Sequence, residues 1–350
     1  MVKIIFFATL IIFPFGQLFK FGFVNLFDIA VLLLALLTLL HKPTYPSWFK
    51  YFIYFILFCL FSLVINYQFF ELKSILYLAR LTSYAFVAVY ISNFVKQKSL
   101  ILKYLLVASI ASAIFGWIQY LIWPDLTTLK YFGWDDHLLR MTGTFLDPTF
   151  LGLVLVLGVI VALQKKNNLA FYFLALSILF TYSRISYLLL FLVSLLNKKY
   201  LGILIFVLVI VFLPKNIGEG TNFARTVSGN NKLENYRETF EIIKRSPLVG
   251  VGFNNICNAR VKYLGEVNID SHSCSGSDSS ILFLLATTGI IGFILFIYFI
   301  LQIPTSPFLT ISFLAVLVHS IFANSLFYPH IMFWMFSLVG LGSKINGKGS

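Results

Sequence analysis

The sequence has little charge and little cysteine. Of its 350 residues only 11% are charged, three are cysteine and 59% are hydrophobic, and the mean hydropathy is +0.91. A soluble domain of this length needs far more charge to cover its surface. The sequence also lacks a glycine-rich phosphate loop, a nucleic-acid-binding motif and a His/Cys cluster at metal-ligand spacing. We therefore expect no metal, no cofactor and no nucleic-acid partner.

Apolar runs extend almost from end to end, without the alternation of a membrane-spanning strand. Helices satisfy their own backbone hydrogen bonds in lipid, so these runs predict an all-α polytopic membrane protein. We expect a bundle of about 12 transmembrane helices, forming one integral membrane domain over residues 1–350. The predicted spans are Ile4–Phe19, Phe23–Leu40, Tyr51–Ile65, Ile75–Phe94, Leu100–Ile122, Phe145–Leu163, Leu169–Thr181, Ile185–Leu196, Leu201–Leu213, Ser279–Leu301, Phe308–Phe322 and Phe327–Leu341.

The net charge of +13 comes from Lys and Arg spread through short loops, a pattern that determines membrane topology rather than nucleic-acid binding. If both termini are cytoplasmic, the lysine pairs all fall on the cytoplasmic side. These pairs are Lys42 with Lys50, Lys96 with Lys98, Lys165 with Lys166, and Lys198 with Lys199. The positive-inside rule favours this orientation.

The one long polar segment covers residues 214–277, between the ninth and tenth predicted spans, and is expected to be an extracytoplasmic loop or lid. Within it, Leu233, Tyr236, Phe240 and Ile243 recur at helical spacing. They predict an amphipathic helix whose apolar face lies on the outer mouth of the bundle. Cys257 and Cys274 also lie in this loop, where a disulfide and two free thiols are both open.

Two arginines precede predicted helices on the outer side. Arg140 comes shortly before Asp147-Pro148, which has the pattern of an N-cap followed by proline at the first helical position. A helix N-terminus beside a guanidinium favours anion binding, although a capped turn alone also explains the pattern. Arg184 lies between two short apolar runs, close to membrane depth. There it either faces a cavity or partner, or extends its side chain to the surface.

The last charge before the tenth predicted span is Asp278, whose purely structural role would be an N-cap. Among cationic residues its carboxylate is expected to stay ionised, and it could then accept a proton from a hydroxyl nucleophile. His272 is the alternative base. The loop also offers cations, most of them expected on a solvated face: Arg225, Lys232 and Arg237. Arginines and a base together suit group transfer from a diphosphate leaving group.

Four segments carry a resemblance: TGTFLDPTFLG (142–152), TYSRIS (181–186), KLENYRETFEIIKRSPLVGVGF (232–253) and SDSSILFLLATTGIIG (277–292). In this order they resemble the O-antigen ligase/polymerase superfamily of bacterial membrane glycosyltransferases. Three positions depart from the family pattern. Asp278 stands where the ligases carry a histidine, Lys232 replaces an arginine and so loses its bidentate fork, and Thr149 stands where asparagine is common.

The resemblance implies an inverting, metal-independent glycosyl transfer on the outer face of the bacterial cytoplasmic membrane. The donor would be an undecaprenyl-diphosphate-linked oligosaccharide, and Asp278 or His272 would activate the acceptor hydroxyl. The diphosphate would bind near cations from the set Arg140, Arg184, Arg225, Lys232 and Arg237. A second lipid-linked repeat as acceptor would make the protein a polymerase. A lipid core, a protein or a wall polymer as acceptor would make it a ligase.

Because the ligase histidine is absent, the sequence favours the polymerase. A lipid-linked sugar flippase is the alternative from another class, since about twelve spans with an outward polar cap also fit a transporter. Asp28 and Arg80 are its main candidates for ionisable groups inside the membrane, and both fall near the outer ends of predicted spans.

Overall fold

The computed structural model describes residues 2–22, 24–200, 202–203, 207, 211–213, 219–222, 227–265, 274 and 276–343. The described part of the chain is mostly helical, with 74% of its residues in helices. Strand structure among the described residues is limited to one antiparallel hairpin, in which β1 (Lys20–Phe21) pairs with β2 (Val24–Asn25). The predicted all-α class is confirmed.

The helices follow the apolar runs. The N-terminal part holds α1 (Val2–Ile12), α2 (Leu26–Leu40), α3 (Phe49–Ile65), α4 (Leu72–Phe94) and α5 (Ser99–Ile122). The central part holds α6 (Pro148–Gln164), α7 (Asn168–Phe180) and α8 (Arg184–Leu196). Then come α9 (Val227–Arg245), α10 (Ile256–Leu264), α11 (Ser280–Leu301), α12 (Pro307–His319) and α13 (Pro329–Gly342). Short 3-10 turns lie at Phe13–Phe15, Tyr67–Phe69, Thr127–Phe132, Gly143–Phe145 and Glu219–Thr221.

Three of the described helices, α4, α5 and α11, are long and apolar enough to cross a membrane. The shorter apolar helices have 10–17 residues, fewer than the ~20 that a perpendicular span needs. The first predicted span is also interrupted, because α1 ends at Ile12 and a turn through Pro14 leads into the hairpin. The number of spans and the sidedness of the loops therefore stay predictions.

Local sequence explains where several helices begin. The side chain of Asp147 accepts hydrogen bonds from the backbone N–H groups of Thr149 (2.6 Å) and Phe150 (3.3 Å), with Pro148 as the first residue of α6. This is the cap that the sequence predicts. Asn25 and Asp28 form a capping box at α2, which satisfies two otherwise unpaired backbone donors.

α6 is the central helix of this region of the bundle. It is apolar on every side, and residues 151–162 are buried without interruption, as expected for a helix surrounded by others. It packs against α5, α7, α8 and α12. A Cβ added at Gly152 would lie 2.3 Å from the Ser186 hydroxyl of α8, and one at Gly158 would lie 2.0 Å from the Ser109 hydroxyl of α5, so both glycines permit close packing. α6 therefore holds the start of α8 at a fixed position beside its own N-terminal half.

α11 is broken at Gly289, whose backbone is non-helical (φ 63°, ψ −171°). The turn that follows α9 fills the break. Four backbone N–H groups donate across the junction to carbonyl oxygens: Val251 to Ala286 (3.0 Å), Gly252 to Thr287 (3.0 Å), Ile290 to Pro247 (2.9 Å) and Ile291 to Leu248 (3.3 Å). The predicted span Ser279–Leu301 corresponds to α11, which is long and apolar enough to cross a membrane, and the break within it is a feature that the sequence does not predict. The polar loop is thus hydrogen-bonded into a membrane helix.

Candidate functional site

Asp278 lies two residues before α11, and its role as N-cap is excluded. The cap is Ser279, whose side chain accepts from the backbone N–H of Leu282 at 3.4 Å. The Asp278 backbone N–H instead donates to the side-chain oxygen of Asn235 in α9, at 2.9 Å. Asp278 is therefore fixed by its backbone, and its carboxylate is not used in capping α11.

The Asp278 carboxyl is partly buried, and this burial raises its pKa. The positive charges of Lys232 and Arg260 lower the pKa and the negative charge of Asp147 raises it, and the net pKa lies above the ordinary value of 3.8. The loss of hydration on burial therefore outweighs the neighbouring cations in setting the pKa of Asp278. A carboxylate with a raised pKa is a stronger proton acceptor than an exposed aspartate.

The loop helix α9 lies where the sequence predicts a helix, but it is rotated about its axis. Leu233 and Phe240, expected to face the bundle, are 49% and 52% exposed. The buried face instead carries Asn235, Thr239 and Ile242. Besides the bond from Asn235 to Asp278, the Thr239 hydroxyl donates to the Ser277 hydroxyl at 3.3 Å. Polar groups of α9 thus position the chain around Asp278.

Two further side chains attach α9 to the turn after α12. Lys232 donates to the carbonyl oxygen of Phe322 at 2.5 Å, and the Tyr236 hydroxyl donates to that of Ile321 at 2.7 Å. Burial and the nearby Asp278 charge raise the pKa of Tyr236 to about 12, so the phenol keeps its proton. Arg237 is exposed, and at ~100° per residue it points away from the face that carries Asn235.

Arg260 is the cation near Asp278 that the sequence does not indicate as a ligand. It lies on α10, is fully buried, and its Nε is 3.4 Å from a carboxylate oxygen of Glu238. Its Nη2 donates to the Thr239 hydroxyl at 3.2 Å. Three residues earlier, Cys257 forms a disulfide with Cys274. Of the two states left open by the sequence, the structure has the disulfide, which ties α10 to the segment leading into Asp278.

Arg140 is buried beneath the turn between α7 and α8. Its Nε donates to the carbonyl of Thr181 at 3.1 Å and its Nη2 to that of Tyr182 at 3.4 Å. Gly220 packs on it so closely that an added Cβ would lie 2.5 Å from the Arg140 Cδ. Arg184 is exposed as the first residue of α8, and its expected position close to membrane depth stays a prediction. The structure therefore brings Arg140 to the turn that presents Arg184.

The start of α6 is close to both the arginine turn and Asp278. Gly152 of α6 contacts Ser186 of α8. The ring of Phe150 stacks on Tyr328 with centroids 3.9 Å apart, and the charge of Asp147 acts on Asp278. Both groups of predicted site residues therefore lie near one helix N-terminus.

Two predicted site residues, Arg225 and His272, lie outside the described residues. A histidine that the sequence analysis missed lies nearby: His319, the last residue of α12, is fully buried with its Nδ1 2.6 Å from the Ser325 hydroxyl. The next residue, Ser320, accepts the backbone N–H of Ser280 through its carbonyl at 2.9 Å. The sequence feature that could have indicated His319 is the presence of a histidine at the end of an apolar run.

The two ionisable groups considered for a flippase pair with each other. A guanidinium nitrogen of Arg80 lies 2.7 Å from an Asp28 carboxylate oxygen, and the Tyr84 hydroxyl donates to that carboxylate at 2.9 Å. Both members of the ion pair are largely buried. The pair connects α2 to α4 inside the bundle.

Residues 149–297, a little under half of the chain, match the family model described as O-antigen ligase. The predicted resemblance to the O-antigen ligase/polymerase superfamily is confirmed. Comparisons with curated proteins and with solved structures gave no match. The O-antigen ligase region contains Arg184, Lys232 and Asp278 and ends within α11, whereas Arg140 and Asp147 precede it.

The O-antigen ligase family consists of membrane proteins and is associated with glycosyltransferase-like ligase or polymerase activity. The apolar helices α4, α5 and α11 agree with a membrane location. Two of the four motifs in the chain, PLVGVG and ATTGIIG, are the two segments joined at the α11 break. Both lie within the O-antigen ligase region, which therefore includes the docked part of the loop as well as membrane helices.

Proposed function

We propose that the protein is a metal-independent membrane glycosyltransferase that polymerises undecaprenyl-diphosphate-linked oligosaccharide repeats. It would act on the outer face of the bacterial cytoplasmic membrane, with both termini in the cytoplasm. The observation that carries the proposal is the Asp278 carboxyl, which has a raised pKa and lies near Lys232 and Arg260 within the family-matched region. A desolvated base beside cations suits deprotonation of a hydroxyl next to an anionic leaving group.

In this reaction Asp278 takes the proton of the acceptor hydroxyl, and the acceptor oxygen forms a bond to the anomeric carbon of the donor. The bond from that carbon to the diphosphate breaks, and the electron pair leaves with the diphosphate. Cationic side chains stabilise the charge that develops. The proposed ligands are Arg140, Arg184, Arg225, Lys232 and Arg237. Because Arg140 is engaged with the carbonyls of Thr181 and Tyr182, its contribution includes holding the turn that presents Arg184.

A crevice between α7 and α8 could bind the lipid chain of the donor. Its volume is about 170 Å³ and its lining is largely apolar, including Phe171, Leu176, Leu179 and Leu190. Leu179 lies two residues before Thr181, whose carbonyl binds Arg140. A polyprenyl chain in this crevice would place its diphosphate end near the arginine turn.

The ligase is the second candidate, and the description of the matched family favours it. It would use the same donor and the same site residues but transfer the glycan once, to a lipid core or another glycan. The two candidates differ in product. A polymerase yields a ladder of lengthening lipid-linked chains, whereas a ligase yields a single transfer that requires the second acceptor.

The experiment uses the purified full chain in liposomes with a lipid-linked repeat as substrate. Arg184→Ala and Asp278→Ala are expected to abolish extension while the variants remain folded. Lys244→Ala, which removes an exposed cation of α9, is the matched control and should retain activity. Full activity in both site variants would contradict the site assignment. Movement of unextended lipid-linked sugar across the liposome without product would instead indicate a flippase.

A further inference from the structure

His319 is a fully buried ionisable residue that the proposed mechanism does not use. It is the last residue of α12, and its Nδ1 lies 2.6 Å from the hydroxyl of Ser325. Its Nε2 has no hydrogen-bond partner among the described residues. A phenylalanine would fill the same space without burying an unpaired polar atom, which is costly. Packing alone therefore does not account for an imidazole at this position.

The contact between His319 and Ser325 closes the turn that follows α12, residues 320–325. The backbone N–H groups of Phe322 and Ala323 both donate to the carbonyl of His319, at 3.0 and 3.1 Å. The imidazole adds a side-chain link from the residue before the turn to the last residue of the turn. This link, from His319 to Ser325, is called the clasp below, and it fixes the two ends of the turn to each other.

The loop helix α9 is attached to the clasped turn. Lys232 donates to the carbonyl of Phe322 at 2.5 Å, and the Tyr236 hydroxyl donates to the carbonyl of Ile321 at 2.7 Å. Both carbonyls lie between the two ends of the clasp. A turn with fixed ends therefore also fixes the position of Lys232.

The start of α11 is attached to the same turn. The backbone N–H of Ser280 donates to the carbonyl of Ser320 at 2.9 Å, and the Ser279 hydroxyl donates to that carbonyl at 3.3 Å. Ser279 directly follows Asp278 in the chain. The proposed base is therefore one residue away from a side chain that is hydrogen-bonded to the clasped turn.

The imidazole also lies against the start of α6. The backbone of Thr149, the second residue of α6, is next to the ring, and α12 packs along α6. The charges of Asp147 and Lys232 act on His319 as they act on Asp278. The charged and titratable groups around Asp278 thus come from four parts of the fold: Asp147 at the start of α6, Lys232, Tyr236 and Glu238 of α9, Arg260 of α10, and His319 of α12.

We propose that His319 is a positioning residue for the transfer reaction: its clasp to Ser325 holds the turn that places Asp278 and Lys232 beside the start of α6. The proposal rests on the proposed function, in which Asp278 is the base, and adds to it the residue that fixes this base in place. His319 acts through the turn and not by touching substrate, since its side chain is fully buried.

Loss of the clasp should change the pH dependence of transfer in a defined direction. A looser turn lets water reach Asp278, and burial is the largest cause of the raised pKa of this carboxyl. A greater distance from Asp147 lowers the pKa further, whereas a greater distance from Lys232 raises it. Because burial dominates, the pKa should fall toward the ordinary 3.8. The acid limb of kcat/KM should therefore move to lower pH.

The test compares His319→Phe and Ser325→Ala with the wild-type full chain in liposomes that contain a lipid-linked repeat. Each variant should lower kcat about 10- to 100-fold at unaltered KM, the effect of a small misplacement of a catalytic group, and should move the acid limb to lower pH. Ser325→Ala removes a single oxygen and so keeps the test valid if His319→Phe does not fold. The double variant should lose no more activity than the weaker single variant, because both changes remove the same link.

Two conservative variants distinguish the clasp from a role of the other ring nitrogen. The amide of His319→Asn can occupy the position of Nδ1 and should restore most of kcat. The amide of His319→Gln reaches the position of Nε2 instead and should not. The proposal is overturned if the single clasp variants keep the wild-type kcat and acid limb, if their losses add in the double variant, or if glutamine and not asparagine restores activity.

Two matched controls should keep the wild-type kcat and acid limb. Ser312→Ala removes another buried hydroxyl of α12, which donates to the carbonyl of Phe308 within the helix at 3.0 Å. His330→Phe replaces another fully buried histidine, at the start of α13. A shift of the limb in these controls as large as in the clasp variants would contradict a specific role of the clasp.

A second measurement needs no substrate. A carbodiimide modifies protonated carboxyls, so the pH at which Asp278 is half modified, read by mass spectrometry, follows the pKa of this residue. The clasp variants should lower that pH, and Ser312→Ala should not. If the pH of half modification falls but the wild type extends no repeat, the clasp assignment stands and the proposed function fails. If the wild type extends repeats and the clasp variants keep the pH of half modification, the clasp assignment alone fails.

Discussion

Gly289 in α11 lies directly against the backbone carbonyl of Leu248 in the loop, with no space for a side-chain carbon on Gly289. Its positive φ of 63° breaks the helix at that point, and the loop backbone fills the break. The junction also uses side chains of α3, since Ser62 donates to the Val249 carbonyl at 2.7 Å and Asn66 to that of Gly250 at 3.0 Å. The loop is therefore fixed to two helices.

Gly289→Ala should destabilise the protein strongly. The Gly289 backbone (φ 63°, ψ −171°) lies in a region that is essentially restricted to glycine, where an alanine costs roughly 1–3 kcal/mol, and displacing the Leu248 backbone adds about 1–3 kcal/mol of overpacking. Gly133→Ala is the matched control, because Gly133 also has positive φ (76°) but an added Cβ meets nothing within 4 Å. Thermal unfolding of the purified variants should show a larger loss for Gly289→Ala. Equal losses would mean that the contact with Leu248 contributes nothing.

The raised pKa of Asp278 predicts an acid limb in the pH dependence of transfer. Below its pKa the carboxyl is protonated and cannot accept the acceptor proton, so kcat/KM should fall as pH decreases through that value. Because burial raises the pKa, the limb should lie above the ordinary 3.8. Lys232 lowers the pKa and Asp147 raises it. Lys232→Met should therefore move the limb to higher pH, and Asp147→Asn to lower pH.

Asparagine is also a good N-cap, so Asp147→Asn removes the charge while the start of α6 is kept. Lys244→Met, on an exposed part of α9, should leave the limb in place. The test measures kcat/KM as a function of pH, at constant ionic strength, for the wild type and the three variants. Shifts of the same sign in both site variants would be incompatible with Asp278 as the titrating base.

The Cys257–Cys274 disulfide should stabilise the loop. The two cysteines are 17 positions apart in the sequence, and closing a loop of this size is worth about 3 kcal/mol. The double variant Cys257→Ser/Cys274→Ser is expected to unfold at lower temperature, and reducing agent should lower the unfolding temperature of the wild type but not of the variant. Cys59→Ser, at a buried free cysteine, should keep the response to reducing agent. A response that persists in the double variant would argue against the pairing.

The predicted orientation can be tested with cysteines at two exposed positions. Gly229 on α9 has no atom within 4 Å of an added Cβ, and Lys165 lies in the turn between α6 and α7. In intact cells a thiol reagent that does not cross membranes should label Gly229→Cys and not Lys165→Cys. The opposite pattern would place the loop in the cytoplasm.

The sequence predicts those features that depend on neighbouring residues. The cap at Asp147-Pro148 requires only a side-chain oxygen and a proline at adjacent positions, and it forms as predicted. The apolar runs also predict most helices to within a few residues, because continuous apolar sequence in lipid leaves little alternative to helix. The spacing of its apolar residues likewise predicts the loop helix α9, but it does not predict which face of that helix is buried.

Features that depend on distant contacts were not predictable. The spacing of Leu233 and Phe240 favours an apolar contact face, but Asn235 and Thr239 find hydrogen-bond partners at Asp278 and Ser277, which turns the other face inward. The sequence correctly indicates that cations lie near Asp278. It does not predict that the Asp278 carboxyl is partly buried, because this burial follows only from the packing of α9 over α11. The break at Gly289 likewise depends on a backbone segment that arrives from forty residues earlier.

The junction of residues 247–252 with α11 limits how the loop can be exchanged between relatives. A loop grafted from a relative would bring its own glycine turn. The recipient α11 would still need a glycine at the position of Gly289, where the loop backbone leaves no space for a side chain. A chimaera with its junction near residue 277, where the polar segment ends, would separate the glycine turn from the helix that receives it. An exchangeable segment would therefore have to extend from α9 past Gly289, across the border between the polar segment and the apolar helix that follows it.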